Sequence, residues 1–255
     1  GSPPKEPPDD VLEAYTRCGA IPLLRMYVDD SNGGVGSHYE YGAGDIANRV
    51  ASYRRDLLTE RSLNPRTLVA MGRMGWVARA LRAAGVDGAQ VVVFGAVKPD
   101  VEAMCLALGA SHVTTVEYNA LTYDHPDLVT VTVADLLADP SPYVAAFDVA
   151  VSISSFDHDG LGRYNDPLCP DGDLLAMDRV RAMLVPGGRL VLTVPIGPDA
   201  VVWNLYRRYG DVRLPLLLQE WEEAHRMGWN ADKAAATRSI RETYEPAFVL
   251  RNTRP

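Results

Sequence analysis

VVVFGAVKPDVEAMCLALGASHVTTVEYN, residues 91–119, decides the fold. Val91 to Phe94 is a short, wholly apolar, β-branched run of the kind found in strands buried on both faces. Gly95 marks a turn, Pro99 stands where a helix would begin, and VEAMCLALG carries apolar residues at helical spacing up to Gly109. VTTVEY (113–118) then returns to the strand pattern. Outward from this stretch, LVTVTVA (128–134), FDVAVSIS (147–154) and RLVLTVP (189–195) read as further buried strands. DLLAMDRVRAMLV is helical before the last of these, and EPAFVLRN supplies one more strand. Alternating helices and apolar strands predict an α/β fold with a doubly wound, mostly parallel sheet covered on both faces.

The chain before residue 91 has a different texture. VLEAYTRCGA, DIANRVASYRRDLL and, after Asn64-Pro65, TLVAMGRMGWVARALRAAG repeat apolar residues at helical spacing, with SNGGVGS (31–37) as a loop. Residues 1–10 hold four prolines and no apolar periodicity, too little to repay the entropy of ordering. The expected organisation is a disordered tail (1–10), a helical N-terminal extension (11–90) and an α/β domain (91–255).

Composition narrows the function. The 255 residues are 47% hydrophobic and 23% charged, which excludes a disordered or fibrous chain. Cys18, Cys105 and Cys169 are too scattered for a disulfide framework or a CxxC metal or redox pair, which fits a reducing, cytoplasmic compartment. A net charge of −8 without a basic patch argues against nucleic acid and anionic lipid as partners. No apolar run reaches the roughly 18 residues of a membrane span. GSPPKEPPDD lacks the order of a signal peptide, and Gly1-Ser2 in place of an initiator Met reads as a cleavage scar.

In an open parallel sheet, ligands occupy the crevice beyond the carboxyl ends of the strands. Gly95 and Ala96 follow the first strand, Glu117 ends the second, 22 positions beyond Gly95, and Asp135 follows the third. An acid near that distance is placed to accept hydrogen bonds from ribose hydroxyls, with Tyr118 beside it, and Asp135 is placed to meet an adenine amino group. Each carboxylate alone could instead be a solvated strand end or a helix cap. GAVKPD has one glycine where a dinucleotide loop uses three, so a hydride-transfer cofactor is disfavoured. A ligand without pyrophosphate, such as S-adenosylmethionine, asks less of this loop.

The passage LVPGGRLVLTVP resembles the one before the fifth strand of class I methyltransferases. More specifically, GAVKPDVEAMCLALGASHVTTVEYN, the run from FDVAVSISSFDHDGLGRYNDPLCPDGD to LVLTVPIG, and NLYRRYGDVRLPLLLQEWE resemble the methyltransferase-like family known as domain of unknown function 268. HDGLGRYNDP with CPDGD is its most specific signature. The resemblance implies a class I methyltransferase-like, Rossmann-like fold and S-adenosylmethionine as cofactor.

The loop from Ser154 to Asp173 follows the fourth strand and is dense in ionisable groups. Methyl transfer to a hydroxyl needs in-line approach and a place for the hydroxyl proton, and His158 is the candidate base, with Asp159 and Asp166 behind it. A histidine that merely organises the loop is the alternative. Oxygen-rich sites also hold Mg²⁺ or Ca²⁺, although Asp171 and Asp173 equally suit a helix start, so no metal ligand set is assigned. Arg163 and Tyr164 could clamp a substrate or pair internally. Asn204 and Arg207 are further substrate candidates, Trp203 and Trp221 are expected in the core, and Asn32 to Tyr41 reads as a lid or an ordinary connection. The expected function is O-methylation of a small-molecule or glycan acceptor, such as a sugar hydroxyl of a glycan or glycolipid. A non-catalytic scaffold of the same fold is the alternative, and a nicotinamide oxidoreductase the weakest reading.

Overall fold

The structure, a computed structural model, describes residues 2–59 and 62–254. Seven strands form the main sheet: β1 (Gln90–Phe94), β2 (His112–Glu117), β3 (Leu128–Thr132), β4 (Phe147–Ile153), β5 (Leu184–Thr193), β6 (Trp221–Met227) and β7 (Ala247–Asn252). Their order is β3-β2-β1-β4-β5-β7-β6. The first five are mutually parallel, and β7 runs antiparallel to both its neighbours. The predicted doubly wound, mostly parallel sheet is present.

Helices α1 (Asp9–Thr16), α2 (Ala43–Leu57), α3 (Arg73–Ala84), α4 (Asp100–Ala107), α5 (Val133–Ala138) and α6 (Gly172–Met183) accompany it. Strand periodicity splits the core in two. Val91 and Val93 join Val149 and Val151 in a core shared with Ile46, Leu81 and Met104 of α2, α3 and α4. Val92 and Phe94 join Ala150, Leu190 and Leu192 in a second core with Leu136, Met177 and Val180 of α5 and α6. Because both faces are covered, the central strands read as unbroken apolar runs rather than alternating ones.

Three features lay outside the periodicity. β6 was not expected as a strand: WEEAHRM is a sheet-edge sequence whose Glu222, Glu223 and His225 are exposed, and a charged edge carries no apolar signature. The long helix expected after Asn64-Pro65 is two, Pro65–Ala70 and α3, broken at Gly72 with φ of 55°. The N-terminal segment also contains short strands, Leu58–Thr59 paired with Ser62–Leu63 and two that pair outside the segment. Leu23–Met26 runs parallel to Ala200–Asn204, and His38–Tyr41 runs parallel to Ala120–Tyr123.

These pairings join the N-terminal segment to the α/β body. A third small core forms from Tyr15 and Ile21 with Leu161, Val201 and Trp203. The proline-rich start lies against it: the Trp203 indole N–H donates to the Pro4 carbonyl at 3.1 Å, and the Tyr27 hydroxyl to the Pro3 carbonyl at 2.9 Å. Trp203 is buried as expected, and Trp221 packs partly buried against the second core. Among the described residues no helix is long and apolar enough to cross a membrane.

Candidate functional site

From β1 the chain moves outward through β2 and β3, then returns to place β4 on the other side of β1. That reversal opens a crevice at the carboxyl edge. A cavity of about 600 Å³ lies there, within the range of small-molecule sites. Gly95, directly after β1, has φ of +71°, and a Cβ on it would stand 2.0 Å from the Ser155 Oγ. The turns after β1 and β4 therefore touch, and only glycine fits between them. Glu117 closes β2 and turns back on its own chain, its Oε1 accepting the amide N–H of Tyr118 at 2.8 Å and of Asn119 at 3.4 Å. Burial pushes its carboxyl above the ordinary range, against the pull of those two amides.

The loop after β4 forms the opposite wall with Ser154, Ser155, His158, Asp159, Tyr164 and Asp166. Its shape is set by Asp166 and by two charged groups that do not line the cavity, Arg207 and Asp173. Asp166 Oδ2 accepts the amides of Gly160 at 2.7 Å and Gly162 at 2.9 Å, and Oδ1 that of Tyr164 at 3.1 Å. Arg207, fully buried, donates to the carbonyls of Asp159 at 2.6 Å and of Cys169 and Pro170 at 3.1 Å. Asp173 accepts the Tyr209 hydroxyl and the Arg213 Nε at 2.9 Å each. Burial opposes its charge, but Arg207 and Arg213 hold its carboxyl below the ordinary range.

Of the expected cofactor residues, Gly95, Glu117 and Tyr118 line the cavity, while Ala96 is buried beside it. Asp135 does not line it. The Asp135 amide donates to Thr132 Oγ1 at 3.1 Å and the Thr132 hydroxyl donates back to Asp135 Oδ2 at 2.6 Å, so the pair caps α5. Thr-x-x-Asp before a helix is a capping-box spacing that the sequence displays. Of the expected substrate residues only Tyr164 lines the cavity. Arg163 sits at the rim, its Nε donating to Asp30 Oδ2 at 2.7 Å and its guanidinium 4.7 Å from the Tyr164 ring. Asn204 is buried, its Oδ1 accepting the Val28 amide at 2.9 Å, and Arg207 is the strut already described.

The three candidate bases differ. Asp166 has both oxygens taken by amides. His158 shares a hydrogen bond between Nδ1 and the Leu205 carbonyl, which makes Nδ1 the donor, and Nε2 lies 3.5 Å from Asp157 Oδ2. Burial, then the Arg163 charge, push its imidazole down to about 4, so it is neutral at neutral pH and weakly basic. Asp159 lines the cavity and also a smaller adjoining chamber with Phe94, Val133, Phe156 and Arg179. Its carboxylate accepts no hydrogen bond among the described residues. Burial, then Asp166, raise its carboxyl well above the ordinary range.

A further wall comes from Asp29 and Asp30, to which the sequence does not point, and from Asn32, Ser37 and Tyr39, within the stretch that reads as a lid or an ordinary connection. The pairing of His38–Tyr41 with Ala120–Tyr123 brings it there, and the Ser37 amide donates to Asn119 Oδ1 at 2.9 Å. Five carboxylates line the cavity (Asp29, Asp30, Glu117, Asp159, Asp166), and no Lys or Arg does among the described residues. Such a lining suits a cationic or neutral ligand and repels pyrophosphate. Among the described residues no three His, Cys, Asp or Glu side chains are grouped to hold a metal ion.

The family described as "Caenorhabditis protein of unknown function, DUF268" matches residues 88–250. No curated protein matches in sequence. Among solved structures, the 1,6-didemethyltoxoflavin-N1-methyltransferase of Burkholderia thailandensis, with 1,6-didemethyltoxoflavin and S-adenosylhomocysteine bound, is 20% identical, with a TM-score of 0.53 over 91% of this chain and 94% of that one. The N-methyltransferase NodS of Bradyrhizobium japonicum WM9, in complex with S-adenosylhomocysteine, matches at 16% identity and a TM-score of 0.46, over 81% of this chain and 100% of that one. The first of these likenesses gives the fold, that of class I methyltransferases.

Proposed function

The chain belongs to the DUF268 family, and from that premise we propose that it is an S-adenosylmethionine-dependent methyltransferase acting on a hydroxyl of a neutral acceptor such as a sugar. The observation that carries this reading is the cavity at the reversal of strand order, lined by five carboxylates and, among the described residues, by no Lys or Arg. S-adenosylmethionine supplies a methyl group on a positively charged sulfonium and carries an ammonium as well, and an acidic lining favours both charges. Glu117, at the end of β2, is the acceptor for the ribose hydroxyls. The amides and hydroxyls of Asn32, Ser37 and Asn119 and the faces of Tyr39 and Tyr164 suit a polyhydroxylated acceptor, whereas a phosphorylated one would meet Asp29 and Asp30.

Asp159 is the base in this reading, because it is the carboxylate left without a partner, and its raised basicity suits proton removal near neutral pH. His158 keeps Tyr164 in place, the two rings meeting edge to face at 5.5 Å. Calorimetry with S-adenosylmethionine, S-adenosylhomocysteine and NADH is the test. The expected result is binding of the first two alone, followed by transfer of labelled methyl to neutral sugars. A folded chain that binds none of them would support a scaffold, and binding of NADH alone an oxidoreductase.

A further inference from the structure

We infer that Arg207 is the positioning residue of this site, gripping the chain on both sides of His158 and thereby aiming the Asp159 carboxylate into the cavity. The Arg207 backbone N–H donates to the Asp157 carbonyl at 2.9 Å, and Nη1 donates to the Asp159 carbonyl at 2.6 Å. Nη2 reaches the carbonyls of Cys169 and Pro170, each at 3.1 Å, near the far end of the same loop. One fully buried residue thus ties the start of the loop to its end, with Asp159 held at its own peptide group.

Arg207 makes no hydrogen bond to Asp173, although its charge helps to hold that carboxyl low. That carboxylate already receives the Tyr209 hydroxyl and two Arg213 nitrogens, while the Arg207 Nε stays 3.7 Å away. Its remaining donors all go to carbonyls of the loop, whose geometry a fork of fixed N–H directions can specify and a flexible ammonium cannot. The charged groups around Asp159 are Asp166 on the same loop, Arg207, and Arg179 and Asp173 on α6, with Tyr118 at the end of β2. Loss of the Arg207 charge leaves Arg179 alone against two carboxylates.

What Asp159 does once aimed rests on the proposed methyl transfer; the grip itself does not. The test is a carbon NMR titration of the Asp159 carboxyl in the ligand-free full chain, with amide hydrogen exchange at Gly160, Cys169 and Gly172. It compares the wild type with Arg207→Gln and Arg207→Lys. The Gln variant is expected to raise the Asp159 midpoint by about one pH unit or more. The Lys variant is expected to keep the midpoint, while exchange in the loop quickens by roughly tenfold with little change in Tm. A folded Gln variant with unchanged midpoint and protection overturns the inference. If the Gln variant does not fold, the Lys variant decides: loss of protection confined to 154–173 supports the grip, and unchanged protection overturns it. Because no ligand is involved, a wild type that fails to bind S-adenosylhomocysteine refutes the methyltransferase reading without touching this result.

Discussion

The loop after β4 carries aspartates at both ends, and Asp157 and Asp159 at its start finish in the opposite state to Asp166 and Asp173 towards its end. At the far end Asp166 accepts three amides and Asp173 accepts a tyrosine hydroxyl and an arginine fork, so each has its charge matched by donors. At the near end Asp157 has an oxygen with no partner, and the Asp159 carboxylate accepts no hydrogen bond among the described residues. Burial raises both near-end carboxyls well above the ordinary range. A buried acid without donors is costly, and such a cost persists where a ligand or a proton is meant to arrive. The far end braces the loop, and in the proposed reading the near end works on what enters.

The largest expected effect separates the two ends directly. Asp173→Ala leaves Arg213 and Arg207 buried without their carboxylate and should cost about 3–5 kcal/mol of stability in urea denaturation. Asp159→Asn should change stability by about 1 kcal/mol or less, yet lower methyl transfer by about 10²–10⁴-fold. Equal stability losses for the two variants would break the comparison.

How much of this the sequence displays follows the same division. β1, Gly95, β2 and Glu117 were legible because a parallel strand buried on both faces is an apolar run and its carboxyl end is where ligands sit. Of the wall from Asp29 to Tyr39, the stretch from Asn32 reads as a lid or an ordinary connection, but Asp29 and Asp30 were not legible at all, because the wall reaches the cavity through a pairing of residues about eighty positions apart, which no local period encodes. Nor could composition tell a strut from a ligand group. Arg207 and Asn204 look like surface polar residues in the sequence and are buried. Only Asp135 was misassigned where a local signal, the Thr132-to-Asp135 cap, was available.

His158, between the two near-end aspartates, gives the next largest effect. Its folded pKa is lowered from 6.5 to about 4, so the native state prefers the neutral ring. The resulting stability is fully present above 6.5 and is lost as pH falls toward 4, by about 2–3 kcal/mol. Denaturation at pH 7.5 and pH 5 should show the wild type losing about 2 kcal/mol relative to His158→Gln, the difference cancelling the other titrating groups. Turnover should pass through pH 6.5 without a histidine inflection, whereas a drop there would return the base role to His158.

Glu117→Ala sharpens the contrast from across the cavity. Its carboxylate is half satisfied by two amides of its own turn, and the remaining capacity faces the cavity. The variant should weaken S-adenosylhomocysteine binding by about 1–3 kcal/mol in calorimetry, with the Tm nearly unchanged. A loss of stability with unchanged affinity would make Glu117 a turn former.

The smallest effect concerns an acid that does not obey the rule. Glu102 on α4 is fully buried and has an Oε2 without a partner, yet it does not line the cavity. Its Oε1 accepts the Thr115 hydroxyl at 2.7 Å and the Tyr123 hydroxyl at 3.2 Å. Burial raises its carboxyl from 4.5 to about 7, so the native state holds the proton more tightly than the unfolded chain does. Its contribution is therefore fully present below 4.5 and is lost as pH rises through about 7. Glu102→Gln keeps an oxygen for Thr115 and Tyr123 and carries no charge at any pH. It should remove the slope between pH 4.5 and 7 and raise stability at pH 8 by about 1 kcal/mol, the gain being reduced because the new amide finds no acceptor where Oε2 stood. Methyl transfer should be unchanged. If the Gln variant were less stable at pH 8, Oε2 of charged Glu102 would have a partner in solution, and a buried carboxylate oxygen without a donor would cease to mark a working residue even at the near end of the loop.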